Sequence, residues 1–588
     1  MIFNHKKKMK ILFFLLLFNI ILVGHSKKTI SSSDIPSKKN LEQNNLRRPE
    51  LPNYMNNNNS NSINIPLLNK DKNKKENYIT NPASIMINRF IYSGNNVFSE
   101  AQLNNISKSY LNRLITFEDL MELREKITLF YISNGYINSG VILPDQKILD
   151  GTVKYIIIEG KLSDINISGN KYLRSSYIKQ KLKSGTQAPL NVNNLQKQFQ
   201  LFLQEPLIKQ AKAELKPGVR LGEGLLDLQI TEHLPYHLTL SYNNHHSPVT
   251  DENTIEFEAI HKCLTGWADT LKIQYEETKG LNSVSSYYAF PISAKGMSLK
   301  LSYSASKSEI LEYPFNIIDI DNKSTNYGIS FNYPVFKTLS NSLTLSIKAE
   351  KKQSKTYLFN HPFSFSKGPQ KGESNVSVIR FSQEWTSRTM IDAIAINSVL
   401  SVGLDACGST INEHNSIPDS RFVSWLGQFQ WAKIVSKKWE IQTILRTDIQ
   451  FSNKPLLSIE KISIGGANTV RGYRENQLQS DNGIISSIEG RIPLFEIAIP
   501  GSNKSSTDRL LYLVPFVDFA WTDNNKQSSP EPDTIASIGS GLIWSPFSGG
   551  YAQIFWGSML KKIDNLDNGL QDSGVHFLFK YDINHYWR

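Results

Sequence analysis

From about residue 237 onward, apolar and polar positions alternate along many short segments of the chain. Leu238, Leu240 and Tyr242 lie two residues apart, and polar residues stand between them. The same spacing recurs at 271–275, 299–303, 327–333, 343–347 and 577–581. A period of two places successive side chains on opposite faces of a strand, so this region is predicted to be all β.

Apolar side chains on one face, polar ones on the other and frequent aromatic residues are typical of a transmembrane barrel with a wet lumen. Residues 236–588, at roughly 20–25 residues per strand and loop, predict on the order of 14–18 antiparallel strands, and we expect about 16. A large soluble β-sandwich is the alternative, because it would show the same alternation. It would not need so polar an inner face.

Before the barrel, the pattern changes to two mixed segments of similar order. In the first, Leu120, Leu123, Ile127 and Tyr131 recur at helical spacing within a predicted helix at 117–133. The full order predicted is a strand at 89–92, helices at 100–111 and 117–133, and strands at 139–143 and 152–159. It repeats at 165–167, 175–183, 192–204, 209–215 and 224–231. We therefore predict two α+β domains, 85–160 and 161–235, with one larger α+β domain as the alternative.

The N-terminus has the pattern of a secretory signal. Four lysines between residues 6 and 10 precede the apolar run 11–23, and small residues follow at Gly24 and Ser26. We expect cleavage after a signal peptide of residues 1–26, with a retained anchor as the alternative. Residues 27–84 are rich in Asn, Lys and Ser and are predicted to be a flexible segment. Within it, only 41–48 has the pattern of a weak helix.

Charge and cysteine content exclude several functions. The net charge is +12, but residues 1–84 hold 14 Lys/Arg and 5 Asp/Glu, so most of the basic excess precedes the folded domains and no nucleic-acid partner is expected. Cys263 and Cys407 have no metal-ligand spacing, and a disulfide and two free thiols are equally compatible with the sequence. No phosphate-binding loop, dinucleotide fingerprint, zinc signature or catalytic Ser/His/Asp cluster is visible. We therefore expect neither an enzyme nor a cofactor or metal.

One loop stands out within the β region. Residues 465–473 read Gly-Gly-Ala-Asn-Thr-Val-Arg-Gly-Tyr and end in Val470, Arg471, Gly472 and Tyr473. Glycines allow a tight backbone path, and an arginine inside a barrel needs a charged partner because an unpaired buried charge is costly. These properties make the four residues a candidate lumenal site.

Three groups of residues carry a family resemblance. They are 135–146 with 150–160, the pair 287–291 and 299–303, and the tetrapeptide Val470-Arg471-Gly472-Tyr473. On these, the chain resembles the transporters of two-partner secretion, the haemolysin secretion/activation family of POTRA-plus-barrel proteins. The resemblance spans about 86–588. It implies two periplasmic POTRA domains followed by an outer-membrane barrel.

The resemblance also implies how the loop is held. In the superfamily, the arginine of the tetrapeptide pairs with an aspartate in a Phe-x-Asp-x-Gly strand motif. Here Phe516 and Asp518 match that motif, while Ala520 replaces the glycine. A glycine there often marks a close approach of two backbones. With Ala520 in its place, the sequence does not determine how closely the loop approaches this strand.

The resemblance further implies a function and partners. The expected function is export of an adhesin- or haemolysin-type exoprotein from the periplasm to the cell surface. The expected partners are that exoprotein, outer-membrane lipid and the barrel-assembly machinery. Barrels of this kind commonly end on an aromatic residue, so either Trp587 is the assembly signal or assembly tolerates the additional Arg588. The alternative is a factor that inserts other barrels, although such factors usually carry more than two POTRA domains.

Overall fold

A computed structural model describes residues 48–55, 84–313, 315–497, 509–547, 549–563 and 569–583. The predicted signal peptide, nearly all of the weak helix at 41–48 and the terminal Trp587 lie outside these residues. No helix in the described part of the chain is long and apolar enough to cross a bilayer.

The first α+β unit follows the predicted order. It contains β1 (Ile85–Ile87), β2 (Arg89–Ser93), α1 (Glu100–Ser107), β3 (Arg113–Ile115), α2 (Phe117–Ser133), β4 (Gly140–Ile142) and β5 (Thr152–Ile158). The sheet order is β2–β5–β4, with β2 and β5 parallel. Thr116 and Asp119 form a capping box at the start of α2, which explains why this helix begins where the sequence predicts.

The second unit repeats the arrangement with a sheet and a core of its own. It contains β6 (Lys161–Ser168), α3 (Ser175–Leu182), α4 (Val192–Phe202), β7 (Ile208–Pro217) and β8 (Glu223–Glu232). The sheet order is β6–β8–β7. Each unit thus has a separate sheet and a separate buried cluster.

A closed antiparallel barrel of sixteen strands follows, and a further short strand pairs with one of them. The barrel strands are β9 (Tyr236–Asn243), β10 (Thr254–His261), β11 (Thr270–Thr278), β12 (Leu281–Pro291), β13 (Ser298–Glu309), β14 (Ile320–Lys337), β15 (Asn341–Leu358), β17 (Glu373–Arg388), β18 (Asp392–Leu404), β19 (Val423–Ser436), β20 (Ile441–Ser452), β23 (Asn482–Glu496), β24 (Leu510–Asp523), β25 (Thr534–Trp544), β26 (Gly550–Met559) and β27 (Val575–Asp582). The short β16 (His361–Pro362) pairs with the end of β15. The barrel closes through β27 and β9, and the predicted fold class is confirmed.

The alternation of the sequence maps onto the two faces of the wall. On β9, Leu240 and Tyr242 point outward and are exposed, whereas Thr239, Ser241 and Asn243 are buried inside. Apolar side chains therefore face outward and polar ones face the lumen, as predicted.

The second unit is joined to the barrel at the turn between β10 and β11. The Arg174 amide donates to the Gly266 carbonyl at 3.0 Å, and the Trp267 ring packs edge-on against Tyr177. Cys263 is buried in the core of the second unit and Cys407 is exposed, and both thiols are free. The barrel mouth on this side is called the near end, and the opposite mouth the far end.

Candidate functional site: a loop folded into the barrel lumen

The loop between β20 and β23 starts and finishes at the far end and turns back into the lumen. Its arms form a small hairpin from β21 (Ile462–Ile464) and β22 (Leu478–Ser480). Val470 and Tyr473 at its tip are fully buried and join an apolar cluster with the wall residues Ile485, Ala520 and Ile535. The tetrapeptide therefore lies against the inner wall of the barrel.

The structure brings Arg471 together with Asp518. The guanidinium donates from Nε to Oδ2 at 2.8 Å and from Nη2 to Oδ1 at 2.8 Å. The Arg471 amide also donates to Asp518 Oδ2, at 2.9 Å. Asp518 thus holds both the side chain and the backbone of the loop tip, and the paired hydrogen bonds match the fork of the guanidinium. Both side chains are at most 5% exposed.

Further partners of Arg471 come from neighbouring strands. Nη1 donates to Glu489 Oε2 at 2.9 Å and Nη2 to Ser487 Oγ at 3.0 Å, both on β23. The guanidinium carbon lies 3.7 Å from the centre of the Phe516 ring and 5.0 Å from that of Phe555. Two carboxylates and two aromatic faces therefore stabilise one buried cation.

Sequence reasoning missed Glu489, Ser487 and Phe555. The available signal for Glu489 was one carboxylate among the alternating apolar and polar positions of the run from Ile484 to Ile492. A buried charge in such a position requires a partner.

The closest backbone approach is at β26 rather than at Ala520. Gly472 has φ +93°, and a Cβ there would lie 2.8 Å from the Gly557 carbonyl oxygen. A Cβ on Gly557 would lie 2.9 Å from the Arg471 carbonyl group. Ala520 tolerates its methyl group because that methyl fills part of the apolar cluster under Val470 and Tyr473.

The Tyr473 hydroxyl anchors the tip to β25 and to the loop that follows β26. It lies 2.7 Å from the Lys561 carbonyl oxygen and 3.0 Å from that of Ala536, and it accepts from the Lys561 amide at 3.2 Å. The following residue, Arg474, pairs with Glu312 and Asp572 in two other far-end loops. The tetrapeptide therefore connects the loop to β24, β25 and β26.

A second ionic anchor holds the base of the loop to the opposite wall. Glu460, at the end of a short 3₁₀ turn, accepts from Arg380 Nη2 at 2.8 Å and pairs with Lys352 at 3.0 Å. Arg380 Nε also donates to Glu350 at 2.6 Å, and a Ser401 hydroxyl accepts from Nη1. The loop is thus tied to β15 and β17 on one side and to β23 and β24 on the other.

Arg380→Ala is expected to loosen the base of the loop. The change leaves the buried Glu350 and Glu460 carboxylates with lysine partners alone, and breaking a buried pair costs up to about 3–5 kcal/mol. Hydrogen exchange of the amides in 458–480 should become faster, while Arg421→Ala, at a half-exposed arginine whose hydrogen bonds stay within its own far-end loop, should leave it unchanged. Equal protection in Arg380→Ala and the parent would contradict the anchor.

Residues 48–55 also lie inside the barrel. Arg48 pairs with Asp448 on β20 and donates from Nη1 to the Asn468 carbonyl of the loop at 2.8 Å. Seven residues later, the Met55 amide donates to the Thr389 carbonyl at the near end, at 2.9 Å. Residues 48–55, called the lumenal strap, therefore cross the lumen from the loop to the near end.

These eight residues belong to the segment 27–84 that is predicted to be flexible, and they contact the barrel wall. Leu51 and Tyr54 pack against an apolar patch of Ala393, Ala432 and Ile444 on the inner wall. Wall glutamines donate to the Pro49 carbonyl and the Tyr54 hydroxyl. The barrel wall supplies the apolar and polar partners that the segment itself lacks.

Comparisons with known proteins agree with this arrangement. A model of the haemolysin secretion/activation proteins ShlB/FhaC/HecB matches residues 222–542, which is more than half of the chain, and the ShlB-type POTRA domain matches 85–160. The heme/hemopexin transporter protein HuxB of Haemophilus influenzae (strain 86-028NP) is 23% identical over 499 residues, covering 79% of this chain and 81% of HuxB.

Two further similar proteins are CdiB transporters. The outer membrane transporter CdiB of Dickeya dadantii (strain 3937) is 20% identical, covering 89% of this chain and 90% of CdiB. The solved structure of CdiB from Escherichia coli superposes with a TM-score of 0.63 at 17% identity, covering 87% of this chain and 93% of that one. The chain therefore belongs to the haemolysin secretion/activation family, a family of two-partner secretion transporters rather than enzymes, with its barrel in the outer membrane and its POTRA domains in the periplasm.

Proposed function

We propose that this protein captures an unfolded exoprotein of the adhesin or haemolysin type in the periplasm and passes it through the barrel to the cell surface. The observation that carries this proposal is the way the lumen is filled. The loop and the lumenal strap are held mainly by side-chain contacts to the wall and lie outside its strand ladder. Such segments can leave the lumen without opening the barrel.

Capture requires a surface that binds many sequences. In the second POTRA sheet, β7 spans ten residues and pairs with β8 on one side only among the described strands. An extended chain added to such an edge binds through backbone hydrogen bonds, which do not depend on sequence. We infer that the exoprotein adds a strand to this edge.

Transit requires walls to which apolar segments do not adhere. The inner face carries polar side chains such as Thr239, Gln274, Gln428 and Gln450. An unfolded chain can exchange hydrogen bonds with these groups and with water. We infer that folding of the exoprotein outside the cell supplies the direction, and that outer-membrane lipid and the barrel-assembly machinery are the other partners.

The test is to delete the gene and to measure the surface level of the exoprotein encoded beside it. Loss of that exoprotein, with the other outer-membrane barrels at normal levels, is the expected result. A general loss of barrel proteins would instead favour the assembly factor. Continued export would exclude the transport function.

In the Arg48→Ala protein, the lumen is expected to be open for a larger fraction of the time. Arg48 links the strap to both Asp448 and the loop, and removing it leaves the buried Asp448 without its cation. Single-channel recordings in planar bilayers should show a higher open fraction and a larger mean current. Glu50→Gln, which changes an exposed residue of the same strap, is the matched control. Identical currents for Arg48→Ala and Glu50→Gln would argue against occlusion by the strap.

A further inference from the structure

The outer face of the barrel carries a row of lysines near the far end. In the register of the wall, Lys307 on β13 lies opposite Lys323 on β14, which lies opposite Lys355 on β15. Strands β14 and β15 have eighteen residues each, whereas a tilted strand crosses a bilayer with about ten. The wall therefore extends beyond the bilayer on this side, and the lysines lie on the extension.

The height of the row follows from the residues below it. Tyr303 and Tyr327 lie on the same face, four positions nearer the membrane along their strands. Both are exposed, and the centres of their rings are 5.2 Å apart. Below them lie the exposed Leu301 and Ile329. Aromatic residues of this kind mark the interface, and four residues of strand add roughly 13 Å along the strand. The lysines consequently lie at the level of the lipid head groups.

Like charges directly opposite each other destabilise a sheet. Lys355 pairs with Glu373 at 2.6 Å, and the Lys323 ammonium lies 5.4 Å from the centre of the Tyr357 ring. Lys307 and Lys323 form no ion pair with any residue that the structure describes. A counterion from outside the chain would remove this repulsion.

The nearest carboxylates do not take that role. Glu309 and Asp321 lie opposite each other one step further along the same face, on the side away from the membrane. The lysine row therefore lies nearer the membrane than these carboxylates, and Lys351, opposite Tyr327 on β15, adds a further exposed cation on the membrane side of the row. Their side chains are long enough to reach toward the interface while the backbone stays in the sheet.

We propose that Lys307, Lys323 and Lys355 bind the phosphate groups of an anionic lipid in the outer leaflet of the outer membrane. Three ammonium groups on adjacent strands, about 4.8 Å apart, match the several charged oxygens of one phosphorylated head group. The site adds a lipid contact to the barrel wall and is separate from the lumenal loop.

The test compares two triple variants of the full-length protein. Lys307→Gln, Lys323→Gln and Lys355→Gln together remove the site, and Lys295→Gln, Lys437→Gln and Lys438→Gln together remove three exposed lysines from near-end turns. Binding of a diphosphorylated lipid A and of its dephosphorylated form is measured by native mass spectrometry in detergent. Because each lysine near an anionic surface contributes about fivefold in affinity, the first variant should bind the phosphorylated lipid at least about tenfold more weakly.

The control variant should bind like the parent, and the dephosphorylated lipid should bind weakly to all three proteins. Equal loss in both triple variants, or none in the first, would overturn the site. Complete displacement of the lipid by inorganic phosphate at the same concentration would overturn the lipid as its ligand. Lys307→Gln alone, with an expected loss of about fivefold, decides the matter if the triple variant does not fold.

Discussion

Arg471→Ala is expected to release the lumenal loop and to reduce export of the exoprotein strongly. The change leaves the fully buried Asp518 carboxylate without its cation and removes one of the arginine partners of Glu489, at 2.9 Å, while Arg446 and Arg491 stay paired with that carboxylate. Breaking a buried pair by removing one side costs about 3–5 kcal/mol, enough to shift a docked loop by a hundredfold or more. Surface exoprotein, assayed at equal barrel levels, is the measurement.

Two further variants show whether charge or geometry matters at Arg471. Arg471→Lys keeps the charge but cannot make the paired hydrogen bonds to Asp518, so an intermediate loss is expected. Arg421→Ala, at a half-exposed arginine that is bonded only within another far-end loop in the described structure, should export normally. Normal export by Arg471→Ala would remove the loop from the transport mechanism.

Gly557→Ala is expected to displace the loop through sterics alone. The new methyl group would lie 2.9 Å from the carbonyl carbon and oxygen of Arg471 and from the Gly472 amide nitrogen, all of them backbone atoms. Overpacking of this kind costs typically about 1–3 kcal/mol, and the loop can avoid it only by withdrawing from β26. Protease cleavage within 465–477 and faster exchange of its amides are the expected readouts.

Gly490→Ala is the matched control because it also lies in a barrel strand. Its methyl group would be 3.7 Å from the nearest heavy atom, the Pro515 Cγ, which is an ordinary contact. Protection of the loop should therefore be unchanged. A Gly557→Ala protein as protected as the control would show that the loop does not press on β26 in solution.

Local signals account for the parts of the fold that were predicted well. Helix α2 spans Phe117–Ser133 as predicted, because its apolar positions are evenly spaced and Thr116 caps its first turn. The three-residue strands β1 and β3 were not predicted, since they are too short to show a period and exist only through pairing with each other.

The candidate site was only partly predictable. The tetrapeptide and the Phe516–Asp518 motif directed attention to one pair of residues through a family resemblance. Glu489, Phe555 and Gly557 lie 18, 84 and 86 positions from Arg471 in sequence, and no local pattern connects them to it. Antiparallel pairing of β23 to β26 in sequence brings these residues to the same side of the lumen, where the loop tip docks.

The sequence by itself determined the alternating wall, the two α+β units and the loop that carries the arginine, because periodicity and glycine placement act over a few residues. Tertiary structure alone decided where that loop docks, that Glu460 and Arg380 tie its base to the opposite wall, and that residues 48–55 lie in the lumen. Those contacts join positions up to 420 residues apart. Only the closed barrel brings such positions within hydrogen-bonding distance, where a buried charge needs a partner.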